Sequence, residues 1–407
     1  MKILAAAGAV ILFFAGCGPS GLDGRARDYV RLAVALGEHD SDSLDFYYGP
    51  KEWVAGIRRD PPRLEQIRDS ARRLASQLAG DRRLRAQRLA RQLQAIAARA
   101  GELLGDKRSF DQRTLAYFGA AMDGAPANLE ETRREIERLL PGRGSPANRY
   151  DAFDRQFLIP QDRLPAVMAR AIEGCREQTR ENLRLPAGEA VRVEYVHDKP
   201  WSAFSRYHGN FQSVISINAD FALTVDRALQ LACHEGYPGH HAQNVLQEVR
   251  LVRNQRQMEW TVEPAFSPQS LVSEALATYA VNVAFPGAER MRFERDTLFP
   301  LAGLDPALAG KYNRVERLVD RLAPAEIPIA RDFLDGKLEW ERAASALGDR
   351  VLMAHADQTL KYLNEYRSYM ITYTLGPELV ARQVRGWRDF EELMSDPEAA
   401  ARIIIKR

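Results

Sequence analysis

The sequence predicts a mainly α-helical protein with one small β-sheet, and two patterns support this prediction. From about residue 26 to 183, apolar residues recur three and four positions apart, as in the segment 64–78, which is the periodicity of amphipathic helices. Between residues 189 and 218 the segments are β-branched and alternating, and turn formers separate them, which indicates strands. Helical periodicity resumes afterwards, so we expect the sheet to lie inside a helical protein.

Composition limits the classes of partner. The 407 residues are 45% hydrophobic and 28% charged, with a net charge of +2, which is typical of a globular protein. This charge indicates no nucleic-acid partner and no acidic substrate. Because the sequence shows neither repeats nor a low-complexity linker, we interpret residues 26–407 as one helical unit. The oligomeric state stays open.

The first residues resemble a bacterial lipoprotein signal. A basic residue and an apolar run over residues 3–14 precede two small residues and Cys17, and this run is shorter than the ~20 residues of a membrane-spanning helix. The resemblance implies a signal peptide over 1–16, lipidation at Cys17 and a tether over 17–25. Gly18, in place of Asp, favours the outer membrane in that pattern. A plain secretory signal or a buried helix is the alternative.

Two further cysteines, Cys175 and Cys233, would lie in an oxidising compartment, where a disulfide can form. Cys233 belongs to an apolar helical run, and free cysteine is among the most buried residue types. We therefore expect buried thiols, with a disulfide as the alternative.

The segment CHEGYPGHHAQ, residues 233–243, contains three of the chain's seven histidines. Zinc peptidases use H-E-x-x-H, in which histidines four apart share one helix face and the glutamate acts on water. Here His234 and Glu235 are followed by His240 and His241, six and seven positions after His234. On a continuous helix neither would reach the ion that His234 binds, because each residue turns by about 100°.

A break in this helix would remove the difficulty. Pro238 cannot donate a hydrogen bond to the His234 carbonyl and clashes with it, and Gly239 permits the backbone of an inserted loop. We expect the loop to return either His240 or His241 to the position of the usual second ligand. The plain alternative is that one helix ends here and another begins.

A third ligand is expected from elsewhere in the chain, since catalytic zinc sites use three protein ligands and a water. The best candidate is Glu274, an acid surrounded by apolar residues in SLVSEALATYA, because carboxylates are rarely buried without a partner. The helices around the site are expected at about 224–285. An exposed helix position or a salt bridge is the alternative for Glu274.

These residues resemble the bacterial domain-of-unknown-function 885 family, whose members carry H-E-x-x-P-G-H-H. The chain matches that motif in full. The family's second motif, E-G-W-A-x-Y, is matched at Glu274, Ala277 and Tyr279, whereas Ala275 and Leu276 replace Gly and Trp. YTLG, residues 373–376, and DFYYGP, residues 45–50, also resemble family segments.

The resemblance implies a large helical, gluzincin-like metallopeptidase fold that binds Zn²⁺. It implies that His234, His240 and Glu274 bind the ion. It implies that Glu235 is the general base. Gly239 directly before His240 favours this histidine over His241 as the second ligand. The strand FQSVISIN, residues 211–218, is in the place of an edge strand that binds substrate backbone.

Hydrolysis also requires a donor for the oxyanion, and the candidates are Tyr373, Tyr207 and His208. We therefore expect a zinc metallopeptidase that acts on peptides in the bacterial cell envelope, anchored through Cys17. A non-catalytic envelope lipoprotein with a binding or scaffold role is one alternative. A zinc hydrolase of another amide or an ester is the second.

Overall fold

The computed structural model describes residues 21–120, 129–354 and 356–405, and for 402–405 the backbone only. The predicted signal peptide, 1–16, and Cys17 lie outside these residues. Helices account for 69% of the residues and the sheets are small, so the predicted mainly α-helical class is confirmed. Within the described residues, no helix combines the length and the apolar character needed to cross a bilayer.

The α-helices are α1 (Leu22–His39), α2 (Lys51–Arg59), α3 (Leu64–Leu78), α4 (Leu84–Leu103), α5 (Phe110–Phe118), α6 (Leu129–Leu139), α7 (Pro146–Asp154), α8 (Leu164–Asn182), α9 (Val225–Leu231), α10 (His240–Gln247), α11 (Pro268–Ala284), α12 (Ala288–Phe293), α13 (Phe299–Ala302), α14 (Ala309–Asp320), α15 (Glu326–Leu334), α16 (Trp340–Val351), α17 (Ala356–Tyr366), α18 (Ile371–Ala381), α19 (Trp387–Ser395) and α20 (Pro397–Ile405). Three π-helical segments lie at Ala232–Gly236, Glu248–Asn254 and Glu294–Leu298. Helix α1 starts at Leu22, so part of the expected tether over 17–25 is helical.

The strands are β1 (Phe46–Tyr47), β2 (Ala190–Val196), β3 (Ala203–Tyr207), β4 (Gln212–Asn218) and β5 (Val262–Glu263). The predicted sheet forms in the order β2-β4-β3, with β2 parallel and β3 antiparallel to β4. The prediction of an edge strand at 211–218 is wrong, because β2 and β3 cover both edges of β4. A second, two-stranded sheet pairs β1 with β5, and the sequence did not indicate it.

Two hydrophobic clusters fill the interior. The smaller one is formed by residues of the four helices α1, α2, α3 and α4, and it includes Val262 of β5. The larger one packs the central helices, the sheet and the C-terminal helices together, with Ile215 and Ile217 of β4 fully buried. Both α9 and α11 lie in this larger cluster, so the candidate ligands are on elements that the main core holds in place.

Cys175 of α8 and Cys233 form a disulfide, so the expectation of two free buried thiols is wrong. Both cysteines are fully buried, and burial alone does not separate a thiol from a disulfide in the sequence. Because Cys233 directly precedes His234, the bond ties the candidate metal-binding helix to α8.

Candidate metal centre

The helix that carries His234 opens where the sequence predicts. Helix α9 continues into the π-helical segment Ala232–Gly236, and α10 starts at His240. Between them the Gly239 N–H donates to the Cys233 carbonyl at 2.9 Å. A Cβ on Gly239 would lie 2.0 Å from the His234 oxygen, so only glycine permits this close approach.

Three side chains converge across the opened helix. The Nε2 atom of His234 lies 3.2 Å from Oε2 of Glu274, and Nε2 of His240 lies 3.6 Å from Oε1 of the same carboxylate. One ligand atom from each residue lies within 4.8 Å of the others. The three side chains are 11–15% exposed, so the cluster is mostly buried but keeps limited access to solvent, and we call this partly open space the recess.

The other ring nitrogens of the two histidines face hydroxyl groups. Nδ1 of His240 lies 3.2 Å from Oγ of Ser273, and Nδ1 of His234 lies 3.5 Å from Oγ1 of Thr278. Both hydroxyls belong to α11, the helix of Glu274. Such partners orient a metal-binding imidazole so that its other nitrogen is free for the ion.

Tyr369 also contacts the cluster, and the sequence analysis missed it. Its hydroxyl donates to Oε1 of Glu274 at 3.0 Å. The available signal was its position four residues before Tyr373, which places both on one helix face if the helix is continuous. Burial, with the charge of Glu274, raises the pKa of Tyr369 well above its ordinary value, so this tyrosine stays a donor.

Mutual attraction controls the ionisation of the cluster. Burial opposes the charged form of His240, but the charge and the hydrogen bond of Glu274 outweigh it and raise the pKa of His240 to about 10. Burial raises the pKa of Glu274, whereas the charges and hydrogen bonds of His240 and His234 lower it, and the pKa ends below its usual range. The carboxylate and the imidazole therefore favour each other's charged forms.

The segment DFYYGP reaches the same recess through the two-stranded sheet. The N–H of Asp45 donates to the Glu263 carbonyl at 3.0 Å. Burial raises the pKa of Glu263 to about 7, although the charge of His240 lowers it, and burial with the charges of Glu263 and Glu274 raises the pKa of Asp45. Two more acids thus lie in the electrostatic field of His240, and neither was singled out in the sequence.

His241 does not reach the cluster, so its role as the alternative second ligand is not what the structure shows. Its Nδ1 lies 2.8 Å from Oγ of Ser213 on β4, and its Nε2 lies 3.0 Å from Oε2 of Glu189. The side chain is fully buried. Adjacent residues on a helix point about 100° apart, so the loop that returns His240 directs His241 into the sheet.

Glu189 holds this second network together. Tyr237 donates to Oε2 of Glu189, and Arg176 and Arg180 of α8 donate to Oε1 at 3.1 and 2.8 Å. Burial raises the pKa of Glu189, but the hydrogen bonds of His241, Tyr237 and Arg176 lower it to about 2. The network connects α8, the start of β2, β4 and α10, and thereby fixes the first turn of α10.

The remaining predicted site residues lie at different distances from the cluster. Glu235 is 5% exposed, and its Oε1 lies 3.9 Å from Nε2 of His234. The ring of Tyr373 lies 6.2 Å from that of His234, and its side chain is 38% exposed. Glu235 and Tyr373 therefore border the recess as expected.

Tyr207 and His208 are not placed as oxyanion donors. Tyr207 is 1% exposed and its hydroxyl donates to the carboxylate of Glu248, so it belongs to the packing of β3. His208 is exposed, and its backbone N–H donates to Gln212. The Tyr207 hydroxyl is thus already used in a buried hydrogen bond, and the structure does not bring it to the cluster.

Gly376 explains how YTLG contributes to the site. A Cβ on Gly376 would lie 2.6 Å from the Cβ of Ala275, so α18 and α11 approach closely at this point. Ala275 is the neighbour of Glu274, and Tyr373 lies one turn before Gly376. The small pair therefore brings Tyr373 of α18, and Tyr369 in the turn just before α18, to the carboxylate of α11.

The residues fit a divalent metal. The Oε2 atom of Glu274 is buried and has no hydrogen-bond partner among the described residues, although His234 Nε2 is 3.2 Å away. Metal–nitrogen and metal–oxygen distances of about 2.0–2.2 Å place two tetrahedral ligands about 3.3 Å apart, close to the 3.2 and 3.6 Å found here. Two imidazoles with one carboxylate are a donor set used for zinc.

Comparisons with known proteins give the following findings. No family model and no curated protein matches the chain. A "putative lipoprotein" from Colwellia psychrerythraea is 14% identical, with a TM-score of 0.48, over 94% of this chain and 74% of that one. A "putative lipoprotein of unknown function" from Shewanella oneidensis is 13% identical, with a TM-score of 0.49, over 96% and 79%.

We expect the two adjacent histidines to respond differently to substitution. His240→Ala removes a converging nitrogen and should abolish stoichiometric metal binding. His241→Ala should keep one metal per chain with affinity or activity weakened by about 10- to 100-fold, as for residues that orient a ligand. Metal analysis of the purified, folded variants measures this, and loss of metal from His241→Ala alone would reverse the assignment.

A second prediction concerns stability and pH. The pKa of Glu189 falls from its ordinary 4.5 to about 2 on folding, so its contribution, on the order of 3 kcal/mol, is present above pH ~4.5 and is lost as the pH falls toward ~2. Glu189→Gln should lower the free energy of unfolding at pH 7 and flatten this acid dependence. Urea unfolding at several pH values measures both effects.

Glu194→Gln is the matched control, because Glu194 lies on β2 and is 38% exposed. Surface substitutions change stability by about 0.5 kcal/mol or less. An equal loss of stability in the two variants would show that the buried network around Glu189 has no special role.

Proposed function

We propose that this protein is a zinc-dependent hydrolase of peptide bonds in the bacterial cell envelope. The observation that supports it most is the convergence of His234, His240 and Glu274, with Glu235 beside them in the recess. When bound, zinc supplies a water of lowered pKa and polarises the substrate carbonyl. Metal-binding residues without a neighbouring acid would suit a structural site equally well, so Glu235 is what favours catalysis.

Glu235 is the proton carrier of this proposal. It directly follows the proposed ligand His234 and is buried. Its Oε1 atom lies 3.9 Å from Nε2 of His234. Its carboxylate accepts a proton from the attacking water and passes it to the leaving amine, which is general acid–base catalysis by one group. The peptide C–N bond breaks, the hydroxyl joins the carbonyl carbon, and the proton joins the nitrogen.

Tyr373 is the donor to the oxyanion in this proposal. Its ring packs against that of His234 while its side chain stays partly exposed. Burial, with the charge of Glu274, raises the pKa of Tyr373 well above its ordinary value, so its hydroxyl remains protonated and can donate. Tyr369 is unsuited to this role, because its hydroxyl already donates to Glu274.

The edge of β3 that faces away from β4 pairs with no other strand of the described residues, and it suits an extended peptide. Ser202 and His208 form backbone hydrogen bonds with Asn218 and Gln212 of the β4 side. Antiparallel strands alternate their bonding direction with every residue, so the backbone groups of Ala203, Ser205 and Tyr207 face away from β4. Strand β3 lies against the π-helical segment that carries His234, so a peptide on this edge passes the metal cluster.

The location follows from the N-terminal signal. Cys17 is the proposed site of lipidation, and the outer membrane is the proposed attachment surface. We propose no nucleic-acid partner for this protein. A lipid anchor of two or more acyl chains holds a protein stably on a membrane surface.

Substitution of the two glutamates tests the proposal. Glu235→Gln should keep one zinc per chain and lose turnover by about 10² or more, because it removes a proton carrier and not a ligand. Glu274→Gln should lose metal affinity first. Metal content and mass-spectrometric cleavage of a peptide mixture provide the two measurements, and loss of zinc from Glu235→Gln alone would contradict these roles.

The two tyrosines give a further test within one helix turn. Tyr373→Phe should lower kcat by about 10²- to 10³-fold with little effect on metal content, since it removes an oxyanion donor. Tyr369→Phe should weaken zinc affinity by about 10- to 100-fold, because it removes the hydrogen bond to a ligand. Identical effects of the two substitutions would show that neither tyrosine has the assigned role.

A further inference from the structure

Arg227 lies on the helix of the candidate metal centre and has no role in the hydrolysis described above. It is seven residues before His234, and α9 runs on into the π-helical segment without a break. Seven residues are nearly two helical turns, which keeps both side chains on one side and separates them by about 10 Å along the axis. Arg227 therefore borders the recess on the side from which α9 approaches.

The positive charge of Arg227 has no acidic partner among the described residues. Its guanidinium donates to Oε1 of Gln230 and to Oγ of Ser202, both at 3.3 Å and both neutral. The adjacent Asp226 is instead paired with Arg290. Arg227 is thus a cation held in place by neutral hydrogen bonds.

Protein groups surround the guanidinium of Arg227 only in part. Its side chain is exposed, yet the surrounding protein displaces enough water to lower the pKa of Arg227. Interactions with Glu235, Tyr373 and Asp226 oppose this lowering of the pKa. The charge of Glu235 acts on Arg227, so the guanidinium lies within electrostatic range of the proposed proton carrier. An anion in the recess would meet this cation in a partly desolvated position, where ion pairs are strong.

Strand β3 determines which end of a peptide would reach Arg227. Ser202, the partner of Arg227, directly precedes the first residue of β3. A peptide that pairs antiparallel to β3 has its N-terminal part beside Tyr207 and its C-terminal end beside Ser202. Its terminal carboxylate would then lie at the guanidinium.

We propose that Arg227 binds the terminal α-carboxylate of the substrate and that the protein is therefore a carboxypeptidase. This inference rests on the proposed peptide hydrolysis. Water adds across the peptide bond near the C-terminus, its hydroxyl joining the carbonyl carbon and its proton the leaving amine. The axial separation of about 10 Å corresponds to at most about three extended residues, so a short C-terminal fragment leaves.

Binding tests this inference without turnover. The zinc-loaded Glu235→Gln chain is dialysed against two pools of N-acetylated pentapeptides of randomised sequence, which end in a free carboxylate or in a carboxamide. We expect the carboxylate pool to bind about 10- to 100-fold more tightly, as for hydrogen bonds between charged groups. Adding Arg227→Met should remove that difference and leave binding of the carboxamide pool unchanged.

Arg73→Met is the control, because Arg73 is exposed on α3 and its guanidinium donates to the neutral hydroxyl of Ser70. It should keep the full preference. Equal binding of the two pools, no binding of either, or a preference that persists in Arg227→Met would overturn the proposal. Arg206 is exposed on β3 beside Tyr207, at the opposite end of the strand from Ser202. A preference lost in Arg206→Met instead would place the carboxylate at that end and would also overturn the proposal.

Hydrolysis by the wild-type chain separates this inference from the proposed function. Cleavage only of the carboxylate pool, with release of short C-terminal fragments, supports both. Cleavage of both pools at internal bonds keeps the hydrolase and overturns the carboxypeptidase. A carboxylate preference that depends on Arg227, without cleavage of either pool by the zinc-loaded protein, keeps the binding site and contradicts the hydrolase.

Discussion

The candidate site depends on one backbone contact, the approach of Gly239 to the carbonyl oxygens of Cys233 and His234. A side chain at this position would lie within 2.4 Å of both oxygens, so the chain can fold back over the end of the π-helical segment only at a glycine. Because the chain folds back here, His234 and His240 face the same carboxylate although they are six residues apart. It also directs His241 to the opposite side, into the sheet.

The start of α10 lies between two buried carboxylates that act in different ways. Glu274 attracts His240 and Glu189 attracts His241, and each acid has further hydrogen-bond donors. A buried charge is costly unless it is paired and hydrogen-bonded, which explains why Tyr369 accompanies the first acid and two arginines the second. Among the four oxygens of these two carboxylates, Glu274 Oε2 is the one without a hydrogen-bond partner in the described residues, and a metal would use this atom. The Glu189 network thus positions α10, and the Glu274 cluster keeps a carboxylate oxygen available for a metal.

Local sequence patterns predicted the parts of the site that follow from local rules. Pro238 and Gly239 indicated the break because their backbone restrictions act at their own positions. Glu274 stood out because an acid among apolar residues needs a partner. Glu189 and Glu263 could not be found in this way, because their contacts join residues 52 and 217 positions apart. The contact of Tyr369 with Glu274 spans 95 positions, and only the spacing of Tyr369 from Tyr373 indicated it. The central place of β4 likewise depends on sheet order, which alternation along one strand does not contain. The Cys175–Cys233 bond was left open for the same reason, because burial favours a thiol and a disulfide alike.

The central claim is that His234, His240 and Glu274 bind one catalytic zinc ion. The most direct measurement is a crystal structure of the zinc-loaded mature chain, with diffraction data collected on both sides of the zinc absorption edge. We predict one anomalous peak per chain, about 2.0–2.2 Å from Nε2 of His234, Nε2 of His240 and an oxygen of Glu274. The account would be contradicted by a map without a peak among these three side chains, or by a peak bound to His241 and Glu189.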